Sequence, residues 1–327
     1  MTEKIFDLIC IGRAAVDLNS IEVNCPMEET KSFAKYVGGS PINIAVGAVT
    51  LGFKAGFIGK VSDDQLGRYV LQYISEKGID ASGIVVDREG HKIGLTFTEI
   101  KSPQECSILM YRNEACDLYL KPEEIRPEYL MKTSHFLISG TALAQSPSRE
   151  AVLKALQIAK KHKIKTIFEL DYRPYNWNSM ETVAVYYQLV SEQCEIVIGT
   201  RDEYDLIWDN KEKTDNQIAS ELIKKNAELV VIKHGAKGSK AFDGSGKEYI
   251  AQAYKVTPLK TFGAGDSFAS AFLYKYLKEK DVESALKYGS ASAALVVTRH
   301  SCSDAMPKAE EIEEFIDNYS KEATKKG

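Results

Sequence analysis

Six cysteines are few for 327 residues, and they lie far apart at Cys10, Cys25, Cys106, Cys116, Cys194 and Cys302. None stands in a Cys-x-x-Cys spacing, which excludes a zinc ribbon and a dense disulfide framework; the expected setting is the reducing cytoplasm. Positive charge is not in excess: 42 Lys and Arg against 46 Asp and Glu leave a formal charge of −4. That balance lacks the attraction that nucleic acid or an acidic membrane surface requires. No apolar run reaches the ~20 residues of a transmembrane helix, and Met1–Glu3 leads into a strand rather than a secretory signal. The P-loop pattern Gly-x-x-x-x-Gly-Lys-Ser/Thr is missing, as is a His-Arg-Asp catalytic loop. Phosphate chemistry in this chain would therefore need another glycine turn. What is present is ordinary for a globular protein, with 44% hydrophobic and 27% charged residues.

The best glycine turn is Lys260-Thr-Phe-Gly-Ala-Gly-Asp-Ser-Phe-Ala-Ser-Ala-Phe272, which runs into a helix with apolar Phe268, Ala271, Phe272 and Tyr276. Gly263 and Gly265 lack a Cβ, so the backbone can approach a ligand and its N–H groups can converge. A helix N-terminus supplies free donors and a dipole that favours an anion. Asp266 stands in the same first turn. Beside a phosphate it suits proton abstraction from an attacking hydroxyl, and without one it suits helix capping.

In chain order, Ile5–Gly12 is a continuous apolar run ending in glycine, the pattern of a strand buried on both faces. Arg13, Asp17 and Asn19 follow its C-terminal end, where open α/β sheets bind ligands. Val37-Gly-Gly-Ser-Pro-Ile-Asn-Ile-Ala45 reads as a turn feeding a helix, with Ser40 as the expected N-cap and Pro41 at the first helical position. Gly38 and Gly39 permit backbone contact with something small, and Asn43 offers both donor and acceptor. Between Gly94–Ile100 and Cys106–Arg112 polar and apolar residues alternate, the mark of a half-exposed hairpin across Lys101–Glu105. With partner strands from residues 20–37, the region from about 90 to 115 would make a small β lid. Strands at His135–Ser139, Lys165–Asp171, Glu195–Gly199, Leu229–Lys233 and Lys240–Asp243 alternate with helices, which predicts a doubly wound, mainly parallel sheet. Residues 1–320 are expected to form one domain and 321–327 a frayed tail. Thr200-Arg-Asp-Glu203 is a capping-box pattern on the same sheet edge. Gly235-Ala-Lys-Gly238 is a glycine turn that admits either a flat base or a hairpin.

Gly38-Gly39…Asn43 and Gly263-Ala-Gly-Asp266, at this separation, resemble the ribokinase-like (PfkB) carbohydrate kinase family over essentially the whole chain. Within it, Gly12–Asn19, Phe33–Pro41, Thr141–Ala144 with Ser146–Arg149, and Asp171-Tyr-Arg-Pro174 resemble kinases of a deoxy-keto-gluconate, phosphorylated at its 6-hydroxyl. The resemblance implies a three-layer fold, ATP and Mg²⁺, and a sugar acid as substrate. It makes Asp266 the general base and Gly263, Ala264 and Gly265 the anion hole. Asp17, Gly38, Gly39 and Asn43 would hold sugar hydroxyls, and Arg112 and Arg173 the carboxylate. Glu203 would organise Mg²⁺ through water, while Thr200, Gly235 and Gly238 would lie against the nucleotide; an asparagine is expected where Thr200 stands. Kinases of 2-keto-3-deoxygluconate or fructose, and a sugar-binding regulator without turnover, are the alternatives. A homodimer or higher homo-oligomer through the lid is the expected assembly.

Lys260 departs from the family. Many relatives carry an acid there that helps hold a monovalent cation, and a glycine where Ser301-Cys302-Ser303 stands. The resemblance therefore implies either that the Lys260 ammonium substitutes for that cation, with no monovalent-ion requirement, or that Lys260 faces solvent and the site is lost.

Overall fold

The expected first strand forms as β1 (Phe6–Ile11); Asp7 breaks the apolar run at its exposed start, and Leu8–Ile11 are apolar because both faces are covered there. Leu8 and Cys10 enter one hydrophobic cluster, Ile9 and Ile11 another, the alternation a pleated strand imposes. The structure is a computed structural model that describes residues 3–102, 105–208 and 212–326; Pro103 and Gln104 of the expected hairpin turn lie outside the described residues.

After β1 come β2 (Ala15–Val23), β3 (Phe33–Gly38), α1 (Ser40–Thr50), β4 (Ala55–Ser62), α2 (Gln65–Glu76) and β5 (Asp80–Asp87). A hairpin of β6 (Leu95–Ile100) and β7 (Cys106–Tyr111) precedes the short α3 (Pro127–Leu130). The next elements are β8 (Thr133–Ser139), α4 (Ser148–Lys161), β9 (Lys165–Glu169), α5 (Met180–Ser191), β10 (Ile196–Thr200) and α6 (Arg201–Trp208). Then follow α7 (Asp215–Lys225), β11 (Leu229–Lys233), β12 (Ser239–Asp243) and β13 (Glu248–Ala251). Three helices close the chain: α8 (Ala264–Glu279), α9 (Val282–Val297) and α10 (Ala309–Lys326).

A nine-stranded sheet runs β13-β12-β11-β10-β9-β8-β1-β4-β5. From β11 to β5 neighbouring strands are parallel; β12 and β13 are antiparallel. Helices α1, α2, α8 and α9 cover one face and α3 to α7 the other, each contributing to its own apolar cluster. The result is the three-layer, doubly wound α/β architecture that the alternation predicts. Strand order reverses between β1 and β8, the switch point at which such sheets open a crevice at their carboxyl ends.

A second sheet, β3-β2-β6-β7, is the expected β excursion, with β2 parallel to β6. It begins earlier than residue 20, so Asp17 lies on a strand of this sheet rather than in a loop after β1. Gly39, at φ 112°, is the N-cap of α1, so Ser40 is not the cap but the first helical residue. The helix start needs a left-handed backbone there, which glycine adopts without penalty. Strands β5 and β13 were not foreseen, and helical backbone continues through Lys326 in the stretch expected to fray.

Candidate active site

Two helix starts face each other at the crevice. Gly263 turns the chain into α8 with φ 86°, and a Cβ there would lie 2.8 Å from Cys302 Sγ. Ala264, Gly265 and Asp266 are the first three residues of α8, so their N–H groups have no intrahelical acceptor and are available to an anion. Helix α1 packs closely against α8, since a Cβ at Gly47 would stand 2.3 Å from Ser270 Oγ. That approach lets Asn43 Nδ2 donate to Asp266 Oδ2 at 2.8 Å. Burial and the charge of Asp171 hold the Asp266 carboxyl above its ordinary value, against the pull of the Asn43 hydrogen bond and Arg173.

Around the mouth of β1 the polar groups are incompletely satisfied. Asp17 Oδ1, Asn43 Oδ1 and Ser40 Oγ are buried without a partner among the described residues. Gly38 is glycine for a steric reason, because its Cβ would stand 2.0 Å from Asp17 Oδ2. At Gly39 a Cβ would meet the Arg13 carbonyl at 2.4 Å. Burial raises Asp17 and Arg13 pulls it back down. Arg13 Nη1 itself donates to Thr96 Oγ1 at 3.4 Å, from beneath the small sheet. Several buried, unpaired oxygens beside an arginine suit a polyhydroxylated ligand.

The expected carboxylate ligands are more engaged than their positions suggested. Arg112 is buried; its Nε donates to Asp117 Oδ2 at 3.0 Å and its Nη2 to Asp117 Oδ2 and the Thr141 carbonyl. Only Nη1 is left without a partner. Arg173 pairs with Asp171 Oδ1 at 2.8 Å and is drawn also by the charges of Asp266 and Glu203, so it leans toward the acids of the crevice. The site does not gather both arginines as free arms.

On the other side, the capping box at Thr200 is made: Thr200 N donates to Glu203 Oε2 at 2.7 Å and Glu203 N to Thr200 Oγ1 at 3.3 Å. Glu203 Oε1 also accepts from Tyr172 N at 2.9 Å, tying α6 to the β9 edge. Gly235, at φ 57°, has open space where a Cβ would be; Gly238 is structural, since a Cβ would meet the Ala251 carbonyl at 2.2 Å. Lys260 is 1% exposed, which excludes the solvent-facing reading. Its ammonium donates to the carbonyls of Phe262 at 2.8 Å and Val296 at 3.3 Å. Ser301 adopts a left-handed φ of 69°, and its loop packs against Gly263 through Cys302.

Four residues of the crevice carried no role in the sequence reading: Asp117, Ser139, Glu169 and Lys233. Ser139 Oγ donates to Asp171 Oδ2 at 3.0 Å, while Lys233 Nζ bonds Glu169 Oε1 at 2.6 Å. A charged residue ending a buried parallel strand is the signal that points to Glu169 and Lys233. No group of three or more His, Cys, Asp or Glu among the described residues is disposed to hold a metal directly. The glycine cradle and the neighbouring acids Asp171 and Glu203 suit a divalent ion that arrives bound to phosphate oxygens and water.

Known proteins share the sequence and the fold. The model of the pfkB family carbohydrate kinases matches residues 6–309. The chain is 58% identical over 318 residues to the 5-dehydro-2-deoxygluconokinase of Bacillus subtilis (strain 168), covering 97% of this chain and 98% of that one. It is 59% identical over 317 residues to the enzyme of the same name from Halalkalibacterium halodurans, covering 97% and 96%. A putative Ribokinase II of E. coli, solved in complex with ATP and Mg²⁺, superposes with a TM-score of 0.87 at 23% identity, covering 96% of this chain and 100% of that one. With the family model matched over residues 6–309 and relatives near 58% identity over almost the full length, the chain belongs to the PfkB family of carbohydrate kinases.

Proposed function

We propose that the protein is a 5-dehydro-2-deoxygluconokinase, transferring the γ-phosphoryl group of ATP to the 6-hydroxyl of 5-dehydro-2-deoxy-D-gluconate. The carrying observation is Asp266 at the start of α8, bonded to Asn43 and beside the N–H groups of Gly263 to Gly265. Relatives at 56–59% identity bearing that enzyme name support the choice of sugar. Asp17, Asn43 and the Gly38-Gly39 backbone bind and orient the sugar, and Asp266 takes the proton of its 6-hydroxyl as that oxygen attacks. The Gly263–Gly265 amides hold the transferring phosphoryl, whose bond to ADP breaks as the new ester forms. Mg²⁺ would neutralise phosphate charge, with Glu203 nearby to order its water; Thr200 and the open side of Gly235 bound the nucleotide. The direct test asks which hydroxyl acquires phosphate. A monoester on carbon 6 is expected by phosphorus NMR, and an ester elsewhere or nucleotide hydrolysis without transfer would overturn the reading.

The substrate carboxylate is held by the unpaired Nη1 of Arg112 together with Arg13, whose charges already oppose one another at this end of the crevice. Arg13→Gln should raise KM for the acid ~10–100-fold, the cost of losing a charge-assisted bond, and leave KM for a neutral alcohol analogue nearly unchanged. Equal losses on both substrates would contradict the assignment.

The small sheet closes over the sugar and also meets a second subunit. Phe33, Phe97 and Tyr111 form an edge-to-face aromatic chain there, with Tyr111 59% and Leu109 47% exposed. Such a patch on an open sheet calls for a partner surface, and a two-fold axis supplies one. Sedimentation at micromolar concentration should show a dimer or larger; Leu109→Lys with Tyr111→Lys should release monomers. A monomeric, fully active wild type would contradict the assembly.

A further inference from the structure

Lys233 ends β11 and Glu169 ends β9, with β10 between them. The Lys233 ammonium reaches across that strand to Glu169 Oε1, and both side chains are nearly inaccessible to solvent. Burial alone would lower the lysine's pKa, but Glu169 and Glu203 outweigh it and raise it. Burial in turn pushes the Glu169 carboxyl up to about 8 against the pull of Lys233, so the pair shares its charge rather than leaving a spare one. An ion pair costs desolvation, so a buried one of this kind is weak ground for stability alone.

Two observations give it a direction. A Cβ built on Gly265 would stand 3.4 Å from Lys233 Nζ, so the ammonium lies directly against the turn that opens α8. Glu169 Oε2 is buried with no hydrogen-bond partner, and Glu169 Oε1 is the one acceptor bonded to Lys233 Nζ among the described residues. An ammonium has three N–H bonds. With one fixed on Glu169, the others remain for a group at the turn.

We propose that Lys233 is a phosphate ligand of the reaction: its ammonium donates to the nucleotide phosphate oxygens held at the Gly263–Gly265 turn, and Glu169 aims it. The proposal rests on the kinase reading above. As the bond to the departing ADP breaks, negative charge gathers on the leaving oxygens, and a fixed ammonium stabilises that charge more than it stabilises ATP. Lys233 keeps its proton throughout; the proton of the sugar hydroxyl goes to Asp266.

The probes are ADP with aluminium fluoride and Mg²⁺, which mimics the transferring phosphoryl group, and the non-hydrolysable imidodiphosphate analogue of ATP. Both are measured with the sugar acid present. Tight binding of the fluoride complex by the wild type, dependent on the sugar acid, is what the kinase reading requires, and its absence would count against that reading rather than against Lys233. Lys233→Met should lose ~100-fold or more in affinity for the fluoride complex and a similar factor in kcat, the loss typical of removing one anion-hole donor. Affinity for the ATP analogue and for the sugar should stay within a few fold. Equal losses for both nucleotide probes, or no loss, overturn the proposal. Lys233→Met leaves Glu169 buried without its cation, so the double variant Lys233→Met with Glu169→Gln is measured as well. It should show the same selective loss. Glu169→Gln alone keeps the ammonium but loosens its aim, and an unchanged kcat in that variant also overturns the proposal.

Discussion

Asp266→Asn should bind ATP and the sugar acid nearly as well as the wild type while turning over ~10²–10⁴-fold more slowly, the usual cost of removing a positioned base. The two side chains have almost the same shape, so the contact with Asn43 at 2.8 Å survives as an amide–amide pair. What disappears is the one group, among the described residues, that is bonded to the Asn43 side chain and can accept the hydroxyl proton as the ester forms. A pH profile adds a second readout. A carboxylate acts as base only when deprotonated, so kcat/KM should fall as pH drops through the Asp266 value. Burial and the charge of Asp171 place that limb above the ordinary carboxylate range, and the Asn variant should lack it. Near-normal turnover in Asp266→Asn would assign the base elsewhere.

Lys260→Met should lose activity although Lys260 touches neither substrate. Its ammonium bonds the Phe262 carbonyl inside the anion-hole turn and the Val296 carbonyl near the end of α9, pinning the two together. Methionine fills the space but leaves two carbonyls without their donor, and each buried orphan costs about 1–3 kcal/mol. The charge matters separately. At an effective dielectric near ~20, a unit charge several ångströms from a phosphoryl group contributes about 2 kcal/mol, or ~30-fold in rate. Burial lowers the Lys260 pKa and the charge of Asp266 opposes that shift only in part, so deprotonation should appear as loss of activity below the ordinary lysine range on the alkaline side. Because the lysine supplies a fixed cation, exchanging potassium for sodium or a bulky organic cation at constant ionic strength should leave the wild-type rate unchanged. Lys260→Asp is expected to acquire a potassium requirement. Strong potassium activation of the wild type would contradict the substitution, and full activity in Lys260→Met would reduce Lys260 to a packing role.

Much of this architecture was legible because its determinants are local. The β1 run is apolar from Leu8 to Ile11 since both faces are buried there, and Gly263 before Asp266 marks a left-handed turn into a helix. The hairpin of β6 and β7 shows the period of a half-covered sheet. Other features depend on what the fold brings together. Strand β5 carries Asp80, Ser82 and Asp87 among its apolar residues, and its pattern is broken because one edge is open. Ser40 looks like a cap by residue type, but Gly39 is the residue whose backbone fits, at φ 112°. Arg112 matched a carboxylate ligand by position, yet Asp117, five residues on, takes two of its nitrogens once the short turn folds back. Lys233 and Glu169 are separated by 64 residues and meet only because β9, β10 and β11 lie side by side. Neither residue type at a strand end announces its partner.

The central claim is that this crevice was shaped for one sugar acid. The measurement that tests it most directly is kcat/KM of the purified protein with ATP and Mg²⁺ across a panel of acceptors: 5-dehydro-2-deoxy-D-gluconate, 2-keto-3-deoxygluconate, fructose and ribose. A site whose buried polar groups are matched to one ligand discriminates by ~10²–10⁴-fold against those that leave them unpaired, so the first acceptor should exceed the rest by at least the lower figure. A neutral sugar or 2-keto-3-deoxygluconate that equals or surpasses it would contradict the account.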